Sequence, residues 1–275
     1  MSAKIQSKVY RFAAYAGTFF SMAVLLLIVG YILVKGIPHI KPDLFAWNYN
    51  STNVSMMPSI INTLLMTLIS LLVCVPLGIG AAIWLTEYAK RGSKLVKLVR
   101  MTAETLSGIP SIIYGLFGAL FFVVALGMGL SLLSGALTLS IMVLPTIMRT
   151  TEEALLAVPD SFREGSFGLG AGRLRTTFKV VLPSAVPGIL SGVILAIGRI
   201  VGETAALIYT AGTVAKVPNG LLDSTRTLAV HMYTISTEGL YIDQSYATAV
   251  VLLVVVLGIN ALSSFIAKRI GRSHS

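Results

Sequence analysis

Two charged residues four positions apart, Arg199 and Glu203, interrupt the apolar stretch SAVPGILSGVILAIGRIVGETAALIYTAG. An ionised side chain at the centre of a bilayer costs ~2.5–3.5 kcal/mol on insertion scales, so such residues need a compensating reason. If the stretch is one helix, positions i and i+4 share a face and the two charges can neutralise one another. Ala196, Ala206 and Thr210 then fall on the same face, which suits a water-accessible path or a tight helix contact better than lipid. An ion pair that only pins packing is a weaker explanation, because an apolar pair packs as well without the desolvation cost. A guanidinium is always charged and presents a planar fork that matches an oxyanion bidentately. On a path, Arg199 would lower the barrier for an anion, and Glu203 would keep the hold weak. That combination suits transit. Two pairs of small residues, Gly188 with Gly192 and Gly198 with Gly202, are placed for close approach of a neighbouring helix.

The elements that position this pair follow from composition. Hydrophobic residues make up 55% of the 275 residues and charged residues 12%, half of what a soluble domain carries. Apolar blocks long enough to cross ~30 Å of hydrocarbon lie near residues 12–34, 59–86, 108–128, 132–150, 184–212 and 246–267. The runs are too continuous for barrel strands, so an all-α bundle of six spans is expected. The first run is too long for a signal peptide and reads as a retained helix. With the N-terminus in the cytoplasm, 16 of the 21 Lys and Arg residues fall on cytoplasmic segments, which orients the chain with both termini inside. The net charge of +10 is thus a topology signal, and no basic folded face for nucleic acid exists.

Other chemistry is excluded. Cys74 is the single cysteine, so the chain holds no internal disulfide and no cysteine metal site, and it reads as a packing residue. His39, His231 and His274 are scattered, and no GxxxxGK[ST] phosphate loop is present. The chain is read as a non-enzyme without cofactor or metal. The external segments are 36–58, whose Asn50 and Asn53 match a glycosylation acceptor pattern, and 213–245. The latter contains TLAVHMYTI, an apolar piece read as lying along the membrane surface, with His231 as a packed residue.

The cytoplasmic connection 150–183 differs in kind. SFREGSFGLG predicts a short helix capped by Asp160 or Ser161 and ended by Gly168, Gly170 and Gly172, where a positive φ costs little. RLRTTFKVVL resumes helical spacing, and Pro183 and Pro187 mark entry into the next span. The resulting helix–turn–helix outside the membrane reads as an interfacial loop or as a docking surface for a partner.

The spacing E-G-S-x-x-x-G followed by V-x-L-P resembles the cytoplasmic signature of binding-protein-dependent ABC importer permeases. Glu164, Gly170, Leu182 and Pro183 match it outright, while Gly165, Ser166 and Val180 are small or conservative departures. The resemblance covers roughly residues 58–267. It implies a type I importer transmembrane domain over that range, preceded by a tail, a first helix and an external loop over 1–57 and followed by a tail at 268–275. It also implies that residues 160–172 form a coupling helix seated on an ATP-hydrolysing subunit. GRIVGETAAL, together with LPTIMRTTEEAL earlier in the chain, is similar to the phosphate-specific branch of these permeases and its PstA-type subunit. That similarity implies translocation roles for Arg199, Glu203 and Arg149. For Arg149, near the inner end of a span, a snorkelling arginine and a substrate contact both remain open. The implied partners are a PstC-type second permease, a PstB-type ATPase dimer and an external PstS-type phosphate-binding protein. Permeases for molybdate, sulfate or phosphonate are the nearest competing readings. A secondary anion carrier is a more distant one, since no half-to-half repeat is evident.

Overall fold

The computed structural model describes residues 3–90 and 92–272. Arg91 and His274 lie outside the described residues, as do the side chains of Lys4, Lys8, Lys268 and Arg272. Among the described residues every regular element is helical. Five continuous helical runs are long and apolar enough to cross a membrane: Tyr10–His39, Met57–Tyr88, Leu132–Leu156, Arg173–Gly202 and Ile242–Phe265. The sixth expected span is a bent pair in which α3 (Lys94–Ser107) meets the run Ser111–Ala125 at 103°. The bend follows from Gly108 and Pro110, which ends one helix and begins the next.

The core is built from α2 (Met57–Ile83), α5 (Leu132–Leu156) and α8 (Leu182–Gly202), with α5 packed between the other two. In lipid the hydrophobic effect does not drive helices together, so small and polar residues must do so. Ser140 donates to the Ser70 carbonyl at 3.1 Å, and Ser70 donates to the Ala136 carbonyl at 3.2 Å. Gly188 and Gly192 sit where a Cβ would collide with Ala154 and Thr150, so this first glycine pair does admit a close neighbour. The second pair does not: a Cβ at Gly198 or Gly202 would meet nothing within 4 Å. Cys74 is fully buried among Met66, Leu139 and Met142. Outside this core, α1 (Ala3–Gly36) rests on α11 (Ile242–Arg272) and exposes most of its length.

One end of the bundle holds the residues after α2, the start of α3 and the connection after α5. Ile83, Leu85, Val96, Leu155, Val158 and Val181 share one apolar cluster there, and the same segments carry Lys94, Lys97 and Arg173, exposed, and Arg163, half-buried. The opposite end is closed by residues 37–56 and by α10 (Leu228–Thr237), which meet through Leu44, Met56 and Leu228. The segment TLAVHMYTI packs one face into the bundle. It becomes α10, with Leu228, Ala229, Val230, His231 and Ile235 buried, because Thr227 caps it and Thr63 on α2 accepts the Leu228 N–H at 2.8 Å. Asn50 and Asn53 are spent on a local turn. Asn50 Oδ1 accepts the Asn53 N–H at 2.8 Å, and Asn53 Oδ1 accepts the Asn50 N–H at 2.9 Å.

Candidate functional site

The expected single span over 184–212 is broken in the middle of the charged motif. α8 stops at Gly202, Glu203 turns extended (φ −72°, ψ 130°), and a new helix, α9 (Ala205–Thr210), begins after Thr204. Arg199 and Glu203 therefore do not share a helical face, and among the described residues no ion pair joins them. Ala206 and Thr210 likewise belong to the second helix and not to the face of Ala196. α9 docks against α4 (Ser111–Gly118), where a Cβ at Gly115 would strike the Ala206 backbone and one at Gly118 would strike Thr138 and Thr210.

Each charge is instead matched to a helix end. Glu203 is buried, and its Oε1 accepts the Ala206 N–H at 3.1 Å, so the carboxylate satisfies a free donor in the first turn of α9. Arg199 lies in the last turn of α8, where exposed carbonyls favour a cation. Its side chain is half-buried and has no carboxylate partner among the described residues. Irregular backbone at membrane depth is tolerated where it lines a cavity or is buried in protein. The neighbouring Gly198 and Gly202 leave open space beside the arginine. The site thus presents a fixed guanidinium at a helix break, with the adjacent carboxylate already engaged.

Arg149 is placed elsewhere. α5 continues to Leu156, so Arg149 sits two turns inside the helix end and the basic connection begins only after it. Its Nε bonds Glu153 Oε1 at 3.0 Å, with both side chains mostly exposed. Together with Arg100, Glu104 and Glu152 it lines an open cavity at the basic end, and Arg100 Nε donates to Glu152 at 2.7 Å. Gly192 packs on Thr150 and Gly188 on Ala154, so α5 and α8 run antiparallel. At 1.5 Å per residue this register offsets Arg149 from Arg199 by ~9 Å along the bundle. The two arginines lie at different depths.

The connection after α5 forms α6 (Asp160–Gly168) and α7 (Arg173–Thr176). The cap is not the expected one. Pro159 occupies the N-cap position, no side chain caps the helix, and Asp160 pairs with Arg163 at 3.2 Å. Of the three glycines only Gly170 takes a positive φ, +82°, which reverses the chain after α6. Glu164 and Gly170 are exposed, as are Phe162, Phe167 and Leu169 on the same helix and turn. Leu182 and Pro183 open α8, with the proline in its first turn as expected. They follow a π-turn over Thr177–Val181 within one helical run from Arg173 to Gly202. Pro183 lacks an N–H and crowds the carbonyl four residues back, and the widened turn accommodates both.

Several residues gained roles that the sequence reading had not assigned. Arg163 reaches back to Glu87, in the π-helical turn Trp84–Tyr88 that follows α2, with Nη2 at 2.7 Å and Nε at 3.2 Å. It also donates to the Leu155 and Val158 carbonyls at 2.9 and 2.8 Å, closing the C-terminus of α5. The motif spacing around Glu164 could not reveal this, because Glu87 is 76 residues away. The amphipathic α3 was legible in principle, since Val96, Val99, Ala103 and Leu106 recur at helical spacing and pack inward.

Residues 74–274 match the binding-protein-dependent transport system inner membrane component family. The chain is similar to a probable ABC transporter permease, YqgI, of Bacillus subtilis (strain 168), at 34% identity over 80% of each chain. It is also similar to the phosphate transport system permease protein PstA of Mycobacterium leprae (strain TN), at 33% identity over 72% of this chain and 66% of that one. The fold resembles that of a chain in a bacterial alginate ABC transporter solved with its oligosaccharide-bound periplasmic protein. There the TM-score is 0.70, with 17% identity over 96% of this chain and 97% of that one. With that family match over most of its length and a similar helical fold, the chain belongs to the family of binding-protein-dependent transport system inner membrane components.

Proposed function

We propose that this chain is the PstA-type permease subunit of an ATP-driven importer and carries inorganic phosphate across the inner membrane. The observation that carries this reading is Arg199, a half-buried guanidinium at a helix break whose neighbouring carboxylate is occupied by α9. A tetrahedral oxyanion fits its fork, and the helix break provides depth in the bilayer without a second countercharge to expel. The relatives named as phosphate permeases supply the choice of phosphate among oxyanions. Arg199 acts as the transient phosphate contact and Glu203 as the group that fixes the break. Arg149, exchanging Glu153 for the anion, serves the path nearer the basic end.

The same reading places the basic end in the cytoplasm, with both termini inside. Glu164, Gly170, Leu182 and Pro183 hold α6 as a coupling helix on a PstB-type ATPase dimer, which supplies the hydrolysis. A PstC-type permease completes the path, and a PstS-type protein delivers phosphate from outside. Residues 58–267 constitute the transporting domain, with 1–57 and 268–275 as additions.

The test is phosphate uptake in vesicles containing the assembled transporter. Arg199→Gln should abolish uptake while assembly and ATP hydrolysis persist, and Arg199→Lys should restore only part of it. Uptake at the wild-type rate in Arg199→Gln would refute the translocation role.

A further inference from the structure

At the end of the bundle opposite the basic connection lies a second arginine that ordinary packing does not explain. Arg226 is 4% exposed, and its guanidinium stacks on Tyr49 with Cζ 4.6 Å from the ring centroid. Its Nε and Nη2 are buried and have no hydrogen-bond partner among the described residues. These two groups form one edge of the guanidinium, the pair of parallel N–H donors that grips a carboxylate or phosphate side-on. Leaving them unfilled costs more than leaving a neutral donor unfilled, since they belong to a charged group.

The surroundings repeat the pattern. Ser59 Oγ and Asn62 Oδ1 are also buried without partners, and the His231 ring is buried with only the Val54 backbone acting on its nitrogens as a weak partner. These belong to one neighbourhood. Asn62 Nδ2 donates to the Arg226 carbonyl at 3.2 Å and to the Lys216 carbonyl at 2.9 Å, Ser59 lies one turn earlier on α2, and the Tyr49 ring meets the His231 ring edge-on at 6.2 Å. Most of the orphaned buried polar atoms among the described residues gather here. An open groove lined by Trp47, Tyr49, Pro58, Ile61 and Lys216 shares Tyr49 with this cluster. No acidic side chain forms an ion pair with Arg226 among the described residues; the Tyr49 hydroxyl, and after it the Glu238 carboxylate, act on the guanidinium.

We propose that Arg226 is an oxyanion-receiving site at the external mouth, with Tyr49 as its cover and Lys216 as the charged rim of its approach. The proposal rests on the phosphate reading above for its ligand and on the unfilled guanidinium edge for its place. An anion entering the groove displaces the Tyr49 ring and takes the Nε and Nη2 donors, while Ser59 Oγ and neutral His231 supply further hydrogen bonds. The anion then waits at the outer end of the bundle before it reaches Arg199.

The experiment is equilibrium binding of radiolabelled inorganic phosphate to the assembled transporter without its binding protein, in lipid nanodiscs. Arg199→Gln is the background, so that the deeper contact does not contribute. One saturable site should remain in that background, competed by sulfate but not by chloride. Adding Arg226→Gln should weaken it at least tenfold. Where that variant assembles poorly, Arg226→Lys keeps the charge and stem, and it should assemble normally yet bind several-fold more weakly because the fork is gone. Glu238→Gln should leave binding unchanged. Phosphate affinity unaltered by Arg226→Lys overturns the proposal, as does loss on Glu238→Gln equal to that of Arg226→Gln. Wild-type vesicles that take up no phosphate at all would instead sink the phosphate reading, a separate outcome read by uptake.

Discussion

Arg163 and Arg199 are both arginines drawn out of water, and they are treated in opposite ways. Arg163 is saturated: Glu87 takes one edge, two backbone carbonyls at the end of α5 take the other donors, and Asp160 closes the fork. Arg199 stands at the end of a helix with its neighbouring carboxylate committed to another helix. A saturated guanidinium ties elements together, because every donor already has an acceptor whose loss is costly. An unsaturated one is available to something that comes and goes. On the reading proposed above, the first arginine ties the connection after α5 to its neighbours and the second is the one that meets the cargo.

The largest effect is expected on the saturated side. Arg163→Met leaves Glu87 buried without its partner and the α5 carbonyls open, so the assembled transporter should lose ~3–5 kcal/mol of stability. A thermal melt detects this, and the double change Arg163→Met with Glu87→Leu should recover much of it. Equal melting of wild type and Arg163→Met would erase the contrast between the two arginines.

Arg199→Gln should do the reverse. Uptake should drop at least tenfold, the equivalent of ~1.4 kcal/mol or more at the barrier, with little change in the melt. A variant that lost assembly and uptake together would make Arg199 a packing residue like Arg163.

Gly170 sharpens the comparison inside the connection that follows α5. Its φ of +82° is strained for any residue with a Cβ, although no atom crowds the position. Gly170→Val should therefore cost ~1–2 kcal/mol locally and lower the phosphate moved per ATP hydrolysed. Gly168→Ala, at a helical and open position, should leave that ratio unchanged.

The smallest effect concerns pH at the opposite end. Burial first, and then the positive charge of Arg226, push the His231 imidazole down to about 3 from an ordinary 6.5. Tyr49 and Arg226 face it, and neither offers a countercharge. Between those two values the unfolded chain binds a proton that the folded chain refuses. The stabilisation is fully present above pH 6.5 and declines as pH falls toward 3. His231→Phe should flatten that decline in melts at pH 7.5 and pH 5.

Much of this protein was fixed by local chemistry that the chain states openly. Long apolar runs could only become helices in a solvent that satisfies no backbone groups. The positions of basic residues singled out one end, and the spacing from Glu164 to Pro183 located the exposed turn that Gly170 makes. Gly188 and Gly192 announced the close contact with α5.

Other features were decided only when the helices packed. Nothing in GRIVGETAAL marks a helix break, because neither glycine there is followed by proline and its residues otherwise continue a helix well. The break exists because α9 has somewhere to go, the flat surface that Gly115 and Gly118 leave on α4, and because Glu203 can cap it. Spacing alone paired Arg199 with Glu203, and the break parted them. The links from Arg163 to Glu87 and from Arg226 to Tyr49 join residues far apart in sequence. A side chain's partner is set by where other helices bring their atoms, and sequence periodicity specifies a helix face without saying what that face will meet.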